Sequence, residues 1–189
     1  KEIVKQKILL ISVDDHIRKH ASQIVISNRP RNKTGLIRKK NQIWLSGIKY
    51  ALIERKNIKK DNRINKKIKI LLHAGGSSLF QLMKELTITT LELSNNRNVD
   101  IKVLCTTKKS TIMIKKIIKN LKIDKKIIIS NYIKDLKSKL KNFDIVVGPA
   151  GTTTFETIIS RSLPVTVPIV NDGRESLETW RSLGHFLHI

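Results

Sequence analysis

From Ile68 onward the chain alternates short apolar runs with longer segments that are apolar on one side only, and few folds accept that rhythm. A short apolar run bounded by turn formers reads as a buried strand, and a segment with apolar residues three and four apart reads as the helix that covers it. Repeating the two gives parallel strands joined by crossover helices. The pattern predicts strands at 68–73, 99–105, 126–130, 144–148 and 164–168, and a further strand starting at Phe186. Helices are predicted at 79–93, 110–121, 152–161 and 175–183, with Ile133, Leu136 and Leu140 at helical spacing in between. In the second of these helices, Ile112, Ile114, Ile117, Ile118 and Leu121 form an apolar stripe opposite a lysine face. The expected fold class is α/β, a Rossmann-like parallel sheet with helices on both faces.

The N-terminal region reads differently. Strands are predicted at 8–13 and 23–27, followed by a polar stretch from Arg29 to Asn41, as if residues 1–55 belonged to another unit. The basic segment 56–67 is the expected linker, and residues 68–189 the second domain. Lys1 is neither an initiator Met nor part of a signal-type segment, so we expect the chain to begin inside a longer protein and to stay in the cytoplasm. One cysteine, Cys105, closes no internal disulfide, which fits a reducing compartment. No apolar run reaches the roughly 18 residues of a membrane helix, so membrane insertion is not expected.

A net charge of +23 suggests nucleic acid or an anionic surface as partner, and a nonenzymatic binder of either kind is one reading of this chain. Against it, 28 of the 38 basic residues are Lys, whereas base reading and bidentate phosphate clamps favour Arg. Aromatic residues, the stacking platforms of single-strand binders, are only 4%. The excess is also uneven: residues 1–141 hold 35 basic and 10 acidic side chains, residues 142–189 hold 3 and 5. With 30 Ile and 13 Asn beside the lysines, the charge reads as composition-driven surface. No specific nucleic-acid partner is expected.

In parallel sheets ligands bind beyond the carboxyl ends of the strands, so the loops there carry the functional reading. Gly75-Gly76-Ser77-Ser78 follows one strand and precedes a helix. Its glycines would let backbone N–H groups approach a phosphate, although a tight turn capped by Ser77 or Ser78 fits equally well. The second loop, Gly148-Pro149-Ala150-Gly151-Thr152-Thr153-Thr154-Phe155-Glu156, has the same placement. Glu156, about one turn into the helix, could accept both hydroxyls of a ribose; a capping box pairing Thr153 with Glu156 fits at least as well on these residues alone. His73 stands two residues before Gly75, within reach of a phosphate, but a side chain packed in the sheet is the better reading. His16 and His20 are expected in a surface turn.

Taken in order, the Gly-Gly-Ser loop, the strand ending at Gly148, Gly151-Thr152, Glu156 and the Leu163-Pro164 start of the next strand resemble the C-terminal domain of the GT-B nucleotide-sugar enzymes. That group holds the family 28 glycosyltransferases and their hydrolase relatives. Asp14-Asp15 and the segment Leu45-Ser46-Gly47-Ile48-Lys49-Tyr50-Ala51-Leu52-Ile53 narrow the resemblance to the UDP-2,4-diacetamido-2,4,6-trideoxy-β-L-altropyranose hydrolase family of pseudaminic acid biosynthesis and the related spore-coat polysaccharide proteins. The resemblance implies a UDP-sugar as partner, hydrolysis to UDP and free sugar, no cofactor or metal, and residues 1–55 as the end of the N-terminal GT-B domain. It implies nucleotide contacts at Gly75, Gly76, Ser77, Ser78, Gly148, Ala150, Gly151, Thr152, Thr153 and Glu156, and sugar or phosphate contacts at Asn171, Glu175 and Ser176. It places the family's catalytic histidine outside this chain, so no catalytic residue is assigned. A glycosyltransferase of family 28 type is the alternative. Two residues depart from the family pattern: Ser78 replaces an acidic residue, and Ser162 replaces a glycine before Leu-Pro.

Overall fold

The computed structural model describes residues 8–14, 19–27, 39–53, 67–75, 80–94, 97–121, 127–167 and 187–188. They form two compact units.

The first unit holds three strands, β1 (Ile11–Val13), β2 (Ile24–Ser27) and β3 (Ile43–Ser46), in the order β1-β2-β3 with both pairings parallel. β3 was not expected from the sequence, where it is a four-residue run of mixed character after a polar stretch. What defines it is its partner: Ile24 to Ser27 pair in register with Ile43 to Ser46. Gln42 anchors its start, its buried amide donating to the carbonyls of Ser22 (2.7 Å) and His20 (3.3 Å) while its Oε1 accepts from Trp44 Nε1 (2.9 Å). His20 is not in a surface turn. It is 7% exposed, edge-on to Trp44 with ring centroids 5.3 Å apart, and its Nε2 lies 3.9 Å from Asp14 Oδ2. An aromatic neighbour in contact buries a histidine that charge patterning alone would leave in water. His16 lies outside the described residues.

The second unit is a six-stranded sheet, and every pairing in it is parallel. Its elements are β4 (Ile68–His73), α1 (Phe80–Leu93), β5 (Val99–Leu104), α2 (Lys108–Asn120), β6 (Ile127–Ser130), α3 (Leu136–Lys139), β7 (Ile145–Pro149), α4 (Thr152–Ile159), β8 (Leu163–Val167) and β9 (Leu187–His188). The spatial order β6-β5-β4-β7-β8-β9 is the 3-2-1-4-5-6 order of a Rossmann-like domain. The helix expected at 175–183 lies outside the described residues, and the helix suggested by Ile133, Leu136 and Leu140 is a single turn followed by a 3-10 turn at Leu140–Asn142.

Alternation along the strands sends neighbours to opposite faces. Leu72, Ile101 and Val103 pack with Met83, Leu86 and Leu91 of α1 and Ile114 of α2 on one face. Leu71 and Val146 pack with Leu140 and Phe143 on the other. Both leucines of β4 are fully buried, each contributing roughly 1.5–3 kcal/mol of hydrophobic stabilisation. The α2 stripe is narrower than expected: Ile114 is fully buried but Ile112 is 56% exposed. Thr107 caps that helix, its Oγ1 accepting from the Ser110 N–H at 3.1 Å.

Asp144 ties together the amino ends of three strands. Its carboxylate accepts from the Lys69 N–H (2.9 Å), its own N–H donates to Lys69 O (2.8 Å), and its carbonyl accepts from Leu163 N–H (2.8 Å). Ser162, the residue in place of a glycine, is buried with its hydroxyl against the carbonyls of Leu140 (3.0 Å) and Phe143 (2.7 Å), fixing the entry to β8. The preceding turn is a Schellman-type cap with Arg161 at φ 56°, its N–H on Ile158 O and the Ser162 N–H on Thr157 O. Among the described residues no helix is long and apolar enough to cross a membrane.

Candidate functional site

The chain order reverses direction between β4 and β7, so their carboxyl ends form the crevice where α/β sheets bind ligands. The two loops singled out in the sequence leave from those two strand ends. They adjoin each other: a Cβ on Gly75 would lie 3.4 Å from Pro149 Cγ, and Gly75 itself has φ +69°, a conformation glycine adopts without steric cost.

His73, the last residue of β4, organises this junction. It is 5% exposed, and its Nδ1 accepts the N–H of Gly75 at 3.1 Å. With Nδ1 used as an acceptor, the proton of the neutral ring sits on Nε2. Burial pushes the imidazole down to about 4, so the neutral form holds at pH 7. Across the junction the ring lies against Gly148. A Cβ there would come within 2.5 Å of His73 Nε2 and 2.6 Å of His73 O. Gly148 is therefore the residue that lets β7 run beside His73, and the Gly75 N–H is committed to the imidazole. The sequence showed a histidine two residues before a glycine, but not the glycine at 148 that it packs on.

The second loop opens α4. Gly151 is the N-cap residue, and the loop is closed by Thr154, whose Oγ1 accepts the Gly151 N–H (3.2 Å) while its own N–H donates to Gly151 O (3.0 Å). The capping box expected between Thr153 and Glu156 is thus displaced: Thr154, at the third helical position, takes the returning bond because the helix starts at Thr152. Glu156, two residues further on, is left out of the cap and is half-buried. Burial raises its carboxyl above the ordinary value, and the Lys137 ammonium pulls it partly back. Thr152 is exposed and Thr153 half-buried. Among the described residues, a Cβ on Gly151 would meet nothing within 4 Å, so their packing does not require a glycine there.

The structure thus brings Gly75, at the end of β4, to the same end of the sheet as Gly148 of β7, Ala150 and Gly151 of the loop after it, and Thr152, Thr153 and Glu156 of α4. Gly76, Ser77, Ser78, Asn171, Glu175 and Ser176 lie outside the described residues. Cys105, at the end of β5, is a buried thiol whose pKa burial raises, partly offset by its bond to Thr111, and it has no activating neighbour of opposite sign among the described residues. Among those residues, no group of three or more His, Cys, Asp or Glu is arranged to hold a metal ion.

A Rossmann-like sheet with two glycine-bearing loops at its switch point is the architecture of nucleotide-binding α/β proteins. Residues 70–176 match the glycosyltransferase family 28 C-terminal domain, and the chain belongs to that family. Among solved structures, the chain is similar to MurG of Acinetobacter baumannii, with a TM-score of 0.70 and 12% identity over 99% of this chain and 55% of that one. It is also similar to the glycotransferase of kitacinnamycin (TM-score 0.57, 16% identity, 89% of this chain and 42% of that one). A third similar structure is the glycosyltransferase SnogD of Streptomyces nogalater (TM-score 0.54, 9% identity, 88% and 43%). At such identities the likeness is one of fold, here the GT-B fold, and the chain spans about half the length of these proteins. No curated protein matches the chain.

Proposed function

We propose that this chain carries the donor-nucleotide site of a GT-B glycosyltransferase, and that the nucleotide is UDP. The observation that carries the reading is the release of Glu156 from helix capping. A carboxylate one turn inside a helix at the switch point, with no structural bond to make in the cap, is free to accept two hydroxyls of a ribose. The diphosphate would lie across the loop after β4 and the amino end of α4, where backbone N–H groups and the helix dipole favour negative charge. Gly151 leaves room for that approach because, among the described residues, no atom fills the space beside its Cα. Asn171, Glu175 and Ser176 would contact the sugar or the phosphates. In this reading the protein transfers a sugar from UDP to an acceptor, and the catalytic base is not among the residues assigned.

Calorimetric titration with UDP tests it. A folded protein should bind UDP and lose most of that affinity in E156A; a folded protein with no measurable UDP affinity overturns the reading.

The Leu45 to Ile53 segment supports a second reading, a UDP-sugar hydrolase of nonulosonic acid biosynthesis that acts in the cytoplasm. Gly47 in that segment has φ +106°, which only glycine adopts freely, so its identity there has a backbone reason as well as a family one. Incubation with UDP-sugar separates the two: release of UDP into water without any acceptor supports the hydrolase, and release only with an acceptor supports the transferase.

A further inference from the structure

We propose that His73 is a positioning residue for the nucleotide loop: by accepting the Gly75 N–H it holds the backbone turn from which the chain leaves β4, and that turn, rather than the Gly75 amide itself, is what the nucleotide diphosphate requires. This rests on the nucleotide reading above and adds to it a residue that the glycine-rich motif does not contain.

Three observations meet here. Gly75 has a left-handed φ of +69°, and its N–H is directed to His73 Nδ1 at 3.1 Å, so the first amide of the glycine motif is already satisfied inside the protein. The imidazole is 5% exposed, and it is wedged against Gly148 so closely that no side chain fits at 148. A ring fixed by packing on one side and by a hydrogen bond on the other cannot rotate away, so the acceptor is held where Gly75 needs it. Finally, a bond from the N–H of residue i+2 to a side-chain acceptor on residue i is the geometry of an Asx-turn. His73 acts as a stiff version of the acceptor that Asn or Asp supplies in such turns, with its acceptor available while the ring is neutral.

The Asx analogy separates positioning from bulk. H73N retains an acceptor for the Gly75 N–H, H73L fills the space without one, and H73D restores the acceptor but adds a negative charge beside a diphosphate. UDP affinity should stay within about threefold of wild type in H73N and fall about tenfold or more in H73L, where the half-buried Gly75 N–H loses the acceptor that holds the turn. H73D should keep the fold, followed by circular dichroism, yet also lose affinity. Equal UDP affinity in wild type and folded H73L overturns the proposal, and so does an H73N variant that loses as much as H73L. Nitrogen-15 spectra of the wild-type ring provide a readout that needs no variant: the Nε2–H tautomer is expected, and a proton on Nδ1 refutes the Gly75 bond. A wild-type protein with the Nε2–H tautomer and no UDP affinity instead overturns the nucleotide reading and the ligand half of this inference, leaving the turn itself as structural.

Discussion

The imidazole of His73 occupies the space that any side chain at position 148 would need: a Cβ on Gly148 would stand 2.5 Å from Nε2 and 2.6 Å from the His73 carbonyl oxygen. Two strands far apart in sequence are thereby fitted to each other at the carboxyl end of the sheet where the candidate nucleotide site lies.

Gly148→Ala should therefore destabilise the protein by about 2 kcal/mol, within the usual range for overpacking. Truncating the ring in H73A/G148A should recover only part of the loss, because the backbone carbonyl of residue 73 remains in the way. Urea unfolding measures both, and a G148A protein as stable as wild type would show that the contact is looser than described.

The buried imidazole also makes stability depend on pH. Its value in the folded protein, about 4, is below the ordinary 6.5, so the unfolded chain binds the proton more readily. The stabilisation by neutral His73 is complete above pH 6.5. It should shrink by about 1.4 kcal/mol per pH unit below that, until the folded-state value near 4 is passed. Comparing the acid limb of wild type with that of H73N checks this, since the variant lacks the titrating group; superimposable curves would rule the contribution out.

At the second loop, two substitutions should separate binding from folding. E156A should weaken UDP binding about tenfold or more, the loss expected when a charge-assisted hydrogen bond goes, and shift the melting temperature little. G151A should cost about 1 kcal/mol of stability at most, that of a poorer N-cap residue, and weaken UDP more than that because the added methyl enters space that no described residue fills. Unchanged UDP affinity in both variants would remove this loop from the site.

Ser162→Ala should destabilise by about 1 kcal/mol, the net worth of a hydrogen bond, by removing the hydroxyl from the carbonyls of Phe143 and of Leu140, the latter keeping the Phe143 N–H. Ser162→Gly, restoring the residue typical of the family, should do no better, since glycine offers no hydroxyl. Thermal melts of the two variants decide the matter: if the glycine variant is as stable as wild type, the hydroxyl bonds contribute nothing net.

Much of the second unit was legible from residue order, because strand and helix there each have a periodicity that burial imposes. The apolar runs at 68–73 and 99–105 became β4 and, one residue shorter, β5, and the spacing of Ile114 and Ile117 marked the inward face of α2. Legibility failed where a contact between distant residues outweighed the local pattern. β3 is a strand because β2 lies beside it, His20 is buried where its ring packs edge-on to Trp44, and Leu136 to Leu140 make only one helical turn before the chain tightens toward β7.

The same division runs through the candidate site. Residue order was enough to show that two glycine-bearing loops follow parallel strands and that Glu156 lies one turn into a helix, since small residues and strand periodicity are local properties. That β4 and β7 are neighbours, that Thr154 rather than Glu156 closes the helix cap, and that His73 takes the Gly75 amide while filling the place of a side chain at 148 emerged with the folded chain. Each of these depends on side chains and backbone meeting in a close-packed interior, where fractions of an ångström decide which atoms can coexist, and that information is carried by the fold and not by the spacing of residues along the chain.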